Sequence, residues 1–135
     1  MWLPGRTVAR AAGRHLPAGA TLRVRGSRAA ARSVARWLLR RGFAVDPELP
    51  GIATPPTDAL VLLGRFAEGS AEAAAVSLRD GGRLVVCQVR PMRRRHAMKL
   101  TAWLAQAGFV GVGQRAGGGL LPVHVTFGTL RRLPE

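Results

Sequence analysis

Three sets of side chains in this chain have the types and spacing to do chemistry, and all three suit anions. The first is Arg28, Arg32, Arg36 and Arg40, four guanidinium groups at successive i,i+4 steps. The second is Arg90, Arg93, Arg94, Arg95 and Lys99, with His96 among them. The third is Arg65, which follows Gly64 at the end of an apolar run. A guanidinium fork binds phosphate or carboxylate through two parallel N–H bonds, so these sets could hold RNA or an acidic protein. Like charges at i,i+4 cost an isolated helix about 0.2–0.5 kcal/mol per pair. The first stripe is therefore either a solvated face or a face matched by an anionic partner.

The composition sharpens that choice. Lys and Arg number 21 against seven Asp and Glu, a formal charge of +14, and every cation but Lys99 is Arg. Ten arginines precede the first acid, Asp46. Such a balance calls for an anionic partner: RNA, DNA, an acidic protein or an acidic membrane surface. Other chemistries lack their residues. The single cysteine, Cys87, excludes an intrachain disulfide and a Cys-based zinc site. His15, His96 and His124 have no metal-ligand spacing, and no nucleophile–base signature or phosphate-binding Lys loop occurs. There is no tyrosine, and few aromatic residues are placed to stack on single-stranded bases. No apolar run approaches a membrane span. The expected location is cytoplasmic, although the Arg-rich, acid-free residues 1–16 also fit a mitochondrial targeting segment.

These side chains need elements to position them. Residues 6–16 read as a short helix and Thr21 to Arg25 as an alternating strand. Ser27 caps a helix whose apolar face is Ala30, Val34, Trp37 and Leu38. Phe43–Val45 is a short strand, and the four prolines of 46–57 dictate a loop. Asp58 to Gly64 and Arg83 to Val89 are continuous apolar runs of the buried parallel-strand type. A helix over 70–78 separates them, stopped by Asp80-Gly81-Gly82. Ala97 to Ala107 is helical, with Leu100, Trp103 and Leu104 on one face. Phe109 to Gln114 and Val123 to Leu130 are closing strands around Gly117-Gly118-Gly119. Strands alternating with helices predict a parallel sheet, and two final strands without a helix predict an antiparallel hairpin.

Three segments in that order resemble the C-terminal half of a Rossmann-like, S-adenosylmethionine-dependent methyltransferase. Pro-Pro-Thr-Asp-Ala-Leu-Val-Leu-Leu (55–63) is similar to the family's fourth strand. Leu-Arg-Asp-Gly-Gly-Arg-Leu-Val-Val (78–86) is similar to the approach to its fifth. Leu100 to Val112, with Ala107-Gly108-Phe109, resembles its last helix and sixth strand. Ser27 to Asp46 resembles its first helix and second strand. The resemblance implies a cofactor site at Gly26, Ser27, Asp46 and Gly64, with Asp46 placed to bind ribose hydroxyls. Two departures stand against that site. The family's acid-x-G-x-G-x-G loop reads Arg25-Gly26-Ser27-Arg28 here, and there is no room between Asp46 and Asp58 for the helix–strand–helix unit that follows strand two. Without the glycines, Asp46 reads more readily as a solvated loop acid.

The expectation is thus one α/β domain over residues 1–135, with 1–19 as a helical extension. It is Rossmann-like, with a mostly parallel sheet, helices on both faces, a C-terminal hairpin and one edge unit missing. Arg90, with Arg65 and Gly26-Ser27-Arg28, should reach a common rim at the carboxyl ends of the strands. The first functional expectation is a non-catalytic basic module or accessory subunit that binds no cofactor and docks on RNA, a ribonucleoprotein or an acidic protein. The alternatives are an active S-adenosylmethionine-dependent methyltransferase, completed by a partner chain, and a scaffold subunit of a large assembly. The strand at Phe43–Val45 would be a free edge able to pair with another chain.

Overall fold

The computed structural model of the chain describes residues 5–47, 55–88, 93–117 and 123–132. In chain order the elements are α1 (Gly5–Gly13), β1 (Thr21–Arg25), α2 (Arg28–Arg40), β2 (Ala44–Val45), β3 (Thr57–Leu63), α3 (Ser70–Val76), β4 (Leu78–Gln88), α4 (Arg94–Gln106), β5 (Phe109–Gly117) and β6 (Val123–Leu130). The strands form a single sheet of order β2-β1-β3-β4-β6-β5. The ladders joining β2, β1, β3 and β4 are parallel, and β6 runs antiparallel to both β4 and β5. This is the Rossmann-like arrangement with a C-terminal hairpin. Among the described residues no strand lies outside β2, so β2 forms the edge.

Side-chain alternation explains why the sheet sits in the middle. Along β3, Ala59 and Val61 point to one core while Leu60 and Leu62 point to the other. A strand covered on both faces has to be apolar throughout, which the 59–63 run is. The first core lies between the sheet and α1/α2 and contains Val8, Leu22, Val34, Leu38 and Cys87. The second lies between the sheet and α3/α4 and contains Leu78, Leu84, Leu100, Leu104 and Phe109. In α2 the fully covered residues are Val34 and Leu38, with Trp37 half-buried against the same core.

Several boundaries differ from the sequence reading: α1 ends at Gly13, α3 ends at Val76, β5 runs on to Gly117, and two further shifts have a clear physical reason. β4 starts at Leu78, because Asp80-Gly81-Gly82 does not end the chain's extension but bulges within it. Thr57 pairs with Leu78, and the register then jumps so that Ala59 pairs with Arg83. Helix α4 starts at Arg94 rather than Ala97, with Arg93 as its N-cap. Arginine is a good helix former, so the cationic run joins the helix once no proline or glycine prevents it.

Candidate functional site

The four parallel strands end on a common edge, and the chain turns there at Arg25-Gly26, Asp46 and Gly64-Arg65. Register sets Arg25 of β1 beside Leu62 of β3. The turn after β1 is tight against its neighbour. A Cβ added at Gly26 would lie 2.8 Å from Leu63 Cβ and 3.3 Å from the Leu63 carbonyl oxygen. Gly26 therefore has a packing reason to be glycine, independent of any ligand. Gly64 has a conformational one, with φ of +90°.

Two clefts open on either side of Gly26. The larger, of about 610 Å³, lies between α2 and the end of β2. Val24, Val45, Ala31 and Ala35 form its apolar walls; Arg28 and Arg32 line it from the helix, and Asp46 lines it from the strand end. Ser27 caps this helix by accepting a hydrogen bond from the Ala30 amide at 3.4 Å. The smaller cleft, of about 280 Å³, lies between the ends of β1 and β3 and α3 and is lined by Arg65, Phe66 and Ser70. Arg25 borders both clefts, and its guanidinium donates to Ser77 Oγ at 2.7 Å.

The arginine stripe of α2 divides. A step of four residues turns 40° beyond a full helical turn, so Arg40 lies about 120° round from Arg28. Arg28 and Arg32 face the large cleft, and Arg36 is exposed outside its lining. Arg40 covers Trp37 at 4.7 Å from the ring centroid, with Arg6 of α1 nearby at 5.5 Å. These are cation–π contacts, which give Arg40 a structural role. In the other cluster Arg93, Arg94, Arg95 and Lys99 lie at the start of α4, where no acid occupies the first turn. Arg90 lies outside the described residues.

Sequence reading missed the polar groups that burial leaves without partners. Arg23 is 3 % exposed, and its Nε and Nη1 make no hydrogen bond among the described residues. Its alternation with Leu22 marks it as facing away from the α1/α2 core, and the natural reading of that position is solvent. Gln88 Oε1 and His124 Nε2 are likewise covered and unpartnered, on residues directly opposed in the β4–β6 ladder. Desolvation lowers the pKa of His124. His15 is lowered by desolvation and by Arg83, Arg115 and Arg14, and it stacks on Phe127 at 4.2 Å. Burial pushes the Cys87 thiol up to about 12, which makes it an inert core residue. Among the described residues no group of His, Cys, Asp or Glu could hold a metal ion, and no helix is long and apolar enough to cross a membrane.

Several solved structures of Rossmann-like methyltransferases match this fold. No family model and no curated protein matches the sequence. One matching structure is the Burkholderia thailandensis 1,6-didemethyltoxoflavin-N1-methyltransferase with bound S-adenosylhomocysteine. Its TM-score is 0.65 at 14% identity, over 96% of this chain and 79% of that one. A Thermotoga maritima S-adenosylmethionine-dependent O-methyltransferase gives 0.54 at 15% identity, over 97% and 66%. The Thermus thermophilus 16S rRNA N2 G1207 methyltransferase, in complex with its methyl donor and guanosine, gives 0.52 at 22% identity, over 95% of this chain but 41% of that one. At these identities the likeness is one of fold.

Proposed function

We propose that this chain is a methyltransferase-fold protein that acts by binding, as a basic accessory module docking on RNA, a ribonucleoprotein or an acidic protein. The observation that carries the reading is the lining of the large cleft. S-adenosylmethionine bears a sulfonium and an ammonium against one carboxylate, so it is a net cation at neutral pH. Among the described residues the cleft offers it Arg25, Arg28 and Arg32 against one acid, Asp46. The one remaining loop glycine, Gly26, has its open side filled by Leu63. The residues present therefore do not fit that cofactor. Arg93, Arg94 and Arg95 project from a helix start whose own dipole already attracts anions.

Calorimetry tests the first half of the reading. S-adenosylmethionine should give no heat of binding at up to millimolar ligand, and micromolar affinity would restore the active-enzyme alternative, which Asp46 in the cleft would then serve. RNA affinity measured against salt tests the second half. A steep log–log slope is expected if phosphates are the target. Replacing Arg93, Arg94 and Arg95 together by Ala should flatten that slope by roughly two to three units, at about 0.7–0.9 for each phosphate no longer neutralised. An unchanged slope would move the docking surface elsewhere.

A further inference from the structure

The large cleft has an unusual property for a chain of this charge. Arg28, Arg32 and Asp46 all line it, yet none of the three side chains makes a hydrogen bond or ion pair among the described residues. Opposite charges that share a cleft without touching leave room for something between them. Arg28 and Arg32 sit one helical turn apart on the same wall, about 6 Å along the axis, and present their forks to the same volume. Among the described residues Asp46 is the only acid in the lining, and a carboxylate accepts hydrogen bonds without donating any. Val24, Val45, Ala31 and Ala35 add apolar wall, and Arg25, Gly26 and Pro47 complete the lining. The volume lies within the usual range of small-molecule sites, about 300–1,000 Å³.

We infer that this cleft binds a ribonucleotide phosphate, either a free nucleotide or the phosphorylated end of an RNA. The phosphate sits on Arg28 and Arg32, the ribose hydroxyls donate to Asp46, and the base lies against the valine and alanine walls. A carboxylate accepts from a vicinal diol, and paired guanidinium forks hold a phosphate through charge-assisted hydrogen bonds. This inference rests on the proposal that the cleft no longer suits a cationic cofactor.

The test is calorimetry on the whole chain with ADP as the probe, and with adenosine, pyrophosphate, 2′-deoxy-ADP and S-adenosylmethionine in parallel. ADP is expected to bind, with adenosine and pyrophosphate each weaker by about tenfold or more, since each loses charge-assisted hydrogen bonds. The 2′-deoxy form should fall between ADP and pyrophosphate, having one hydroxyl fewer for Asp46. Arg28→Ala and Arg32→Ala should each weaken ADP by about tenfold, while Arg36→Ala, outside the cleft, changes it less than about threefold. Asp46→Ala supplies the result that a mere positive patch cannot reproduce. It should weaken ADP yet leave pyrophosphate unchanged or tighter, because a ribose acceptor and a negative charge leave together. Tighter binding of both ligands, or equal affinity for ADP and pyrophosphate, overturns the inference. If S-adenosylmethionine binds and ADP does not, the accessory-module proposal falls as well. If neither binds, only the nucleotide site falls, and docking through Arg93–Arg95 stands or falls by its own salt slope. Competition with a short 5′-phosphorylated RNA identifies the source: displacement of ADP points to an RNA end, and no displacement to a free nucleotide.

Discussion

Arg23 carries its guanidinium into a site that is 3 % exposed, and two of its nitrogens lack acceptors among the described residues. Removing one partner of a buried charge pair is destabilising, but replacing a poorly matched buried charge with an apolar group of similar volume is often stabilising. Arg23→Met should accordingly raise stability by about 1–4 kcal/mol, read as a higher denaturant midpoint at unchanged slope. A lower midpoint would mean that an acceptor meets the side chain in solution. Arg23 also marks where single-residue reading runs out. In a strand of alternating type, Arg beside Leu reads as solvent against core, and only three-dimensional packing shows both faces covered. Gly26 makes the complementary point. In sequence it is the surviving glycine of a cofactor loop; in space its missing side chain makes room for Leu63.

At the level of elements, most of the architecture was legible because period and punctuation agree. The apolar run 59–63 and the Val34/Leu38 face of α2 lie in the two cores as their spacing requires. The early start of α4 was not legible, since Arg93 offers no side-chain cap and the cap hydrogen bond is absent. That start has an energetic consequence. Cations in a first turn oppose the helix dipole by about 0.3–1 kcal/mol each. Replacing Arg94 and Arg95 by Glu should raise the stability of the chain by about 1 kcal/mol while weakening its hold on RNA. If stability and affinity fell together, the two arginines would be serving the fold itself. The α2 stripe carries a related lesson. Four arginines at i,i+4 look like a straight rail on paper, yet the helix turns them from the cleft at Arg28 to the Trp37 ring at Arg40.

For the whole molecule, acidity is the condition that should matter most. The unfolded chain takes up a proton on His15 and on His124 near pH ~6.5, whereas in the folded chain both pKa values lie lower. Between those values the unfolded state binds more protons, so stability rises with pH. The contribution is fully present above ~6.5 and is lost as pH falls through the window towards the folded-state values. Thermal melts from pH 7 to 5 should show this decline, and His15→Gln with His124→Gln should flatten it. Net charge grows in the same direction and adds self-repulsion, so the double variant, rather than the slope of the parent alone, assigns the effect.

Cys87 lies between Leu63 on one neighbouring strand and Val125 on the other, in the ladders that hold the middle of the sheet together. Its solitude makes it a natural reporter. A thiol reagent can react only when those ladders part, so the labelling rate is a clock for the opening of β4 and needs no engineered probe. Any ligand that clasps the strand ends should slow that clock in proportion to how tightly it binds the closed form.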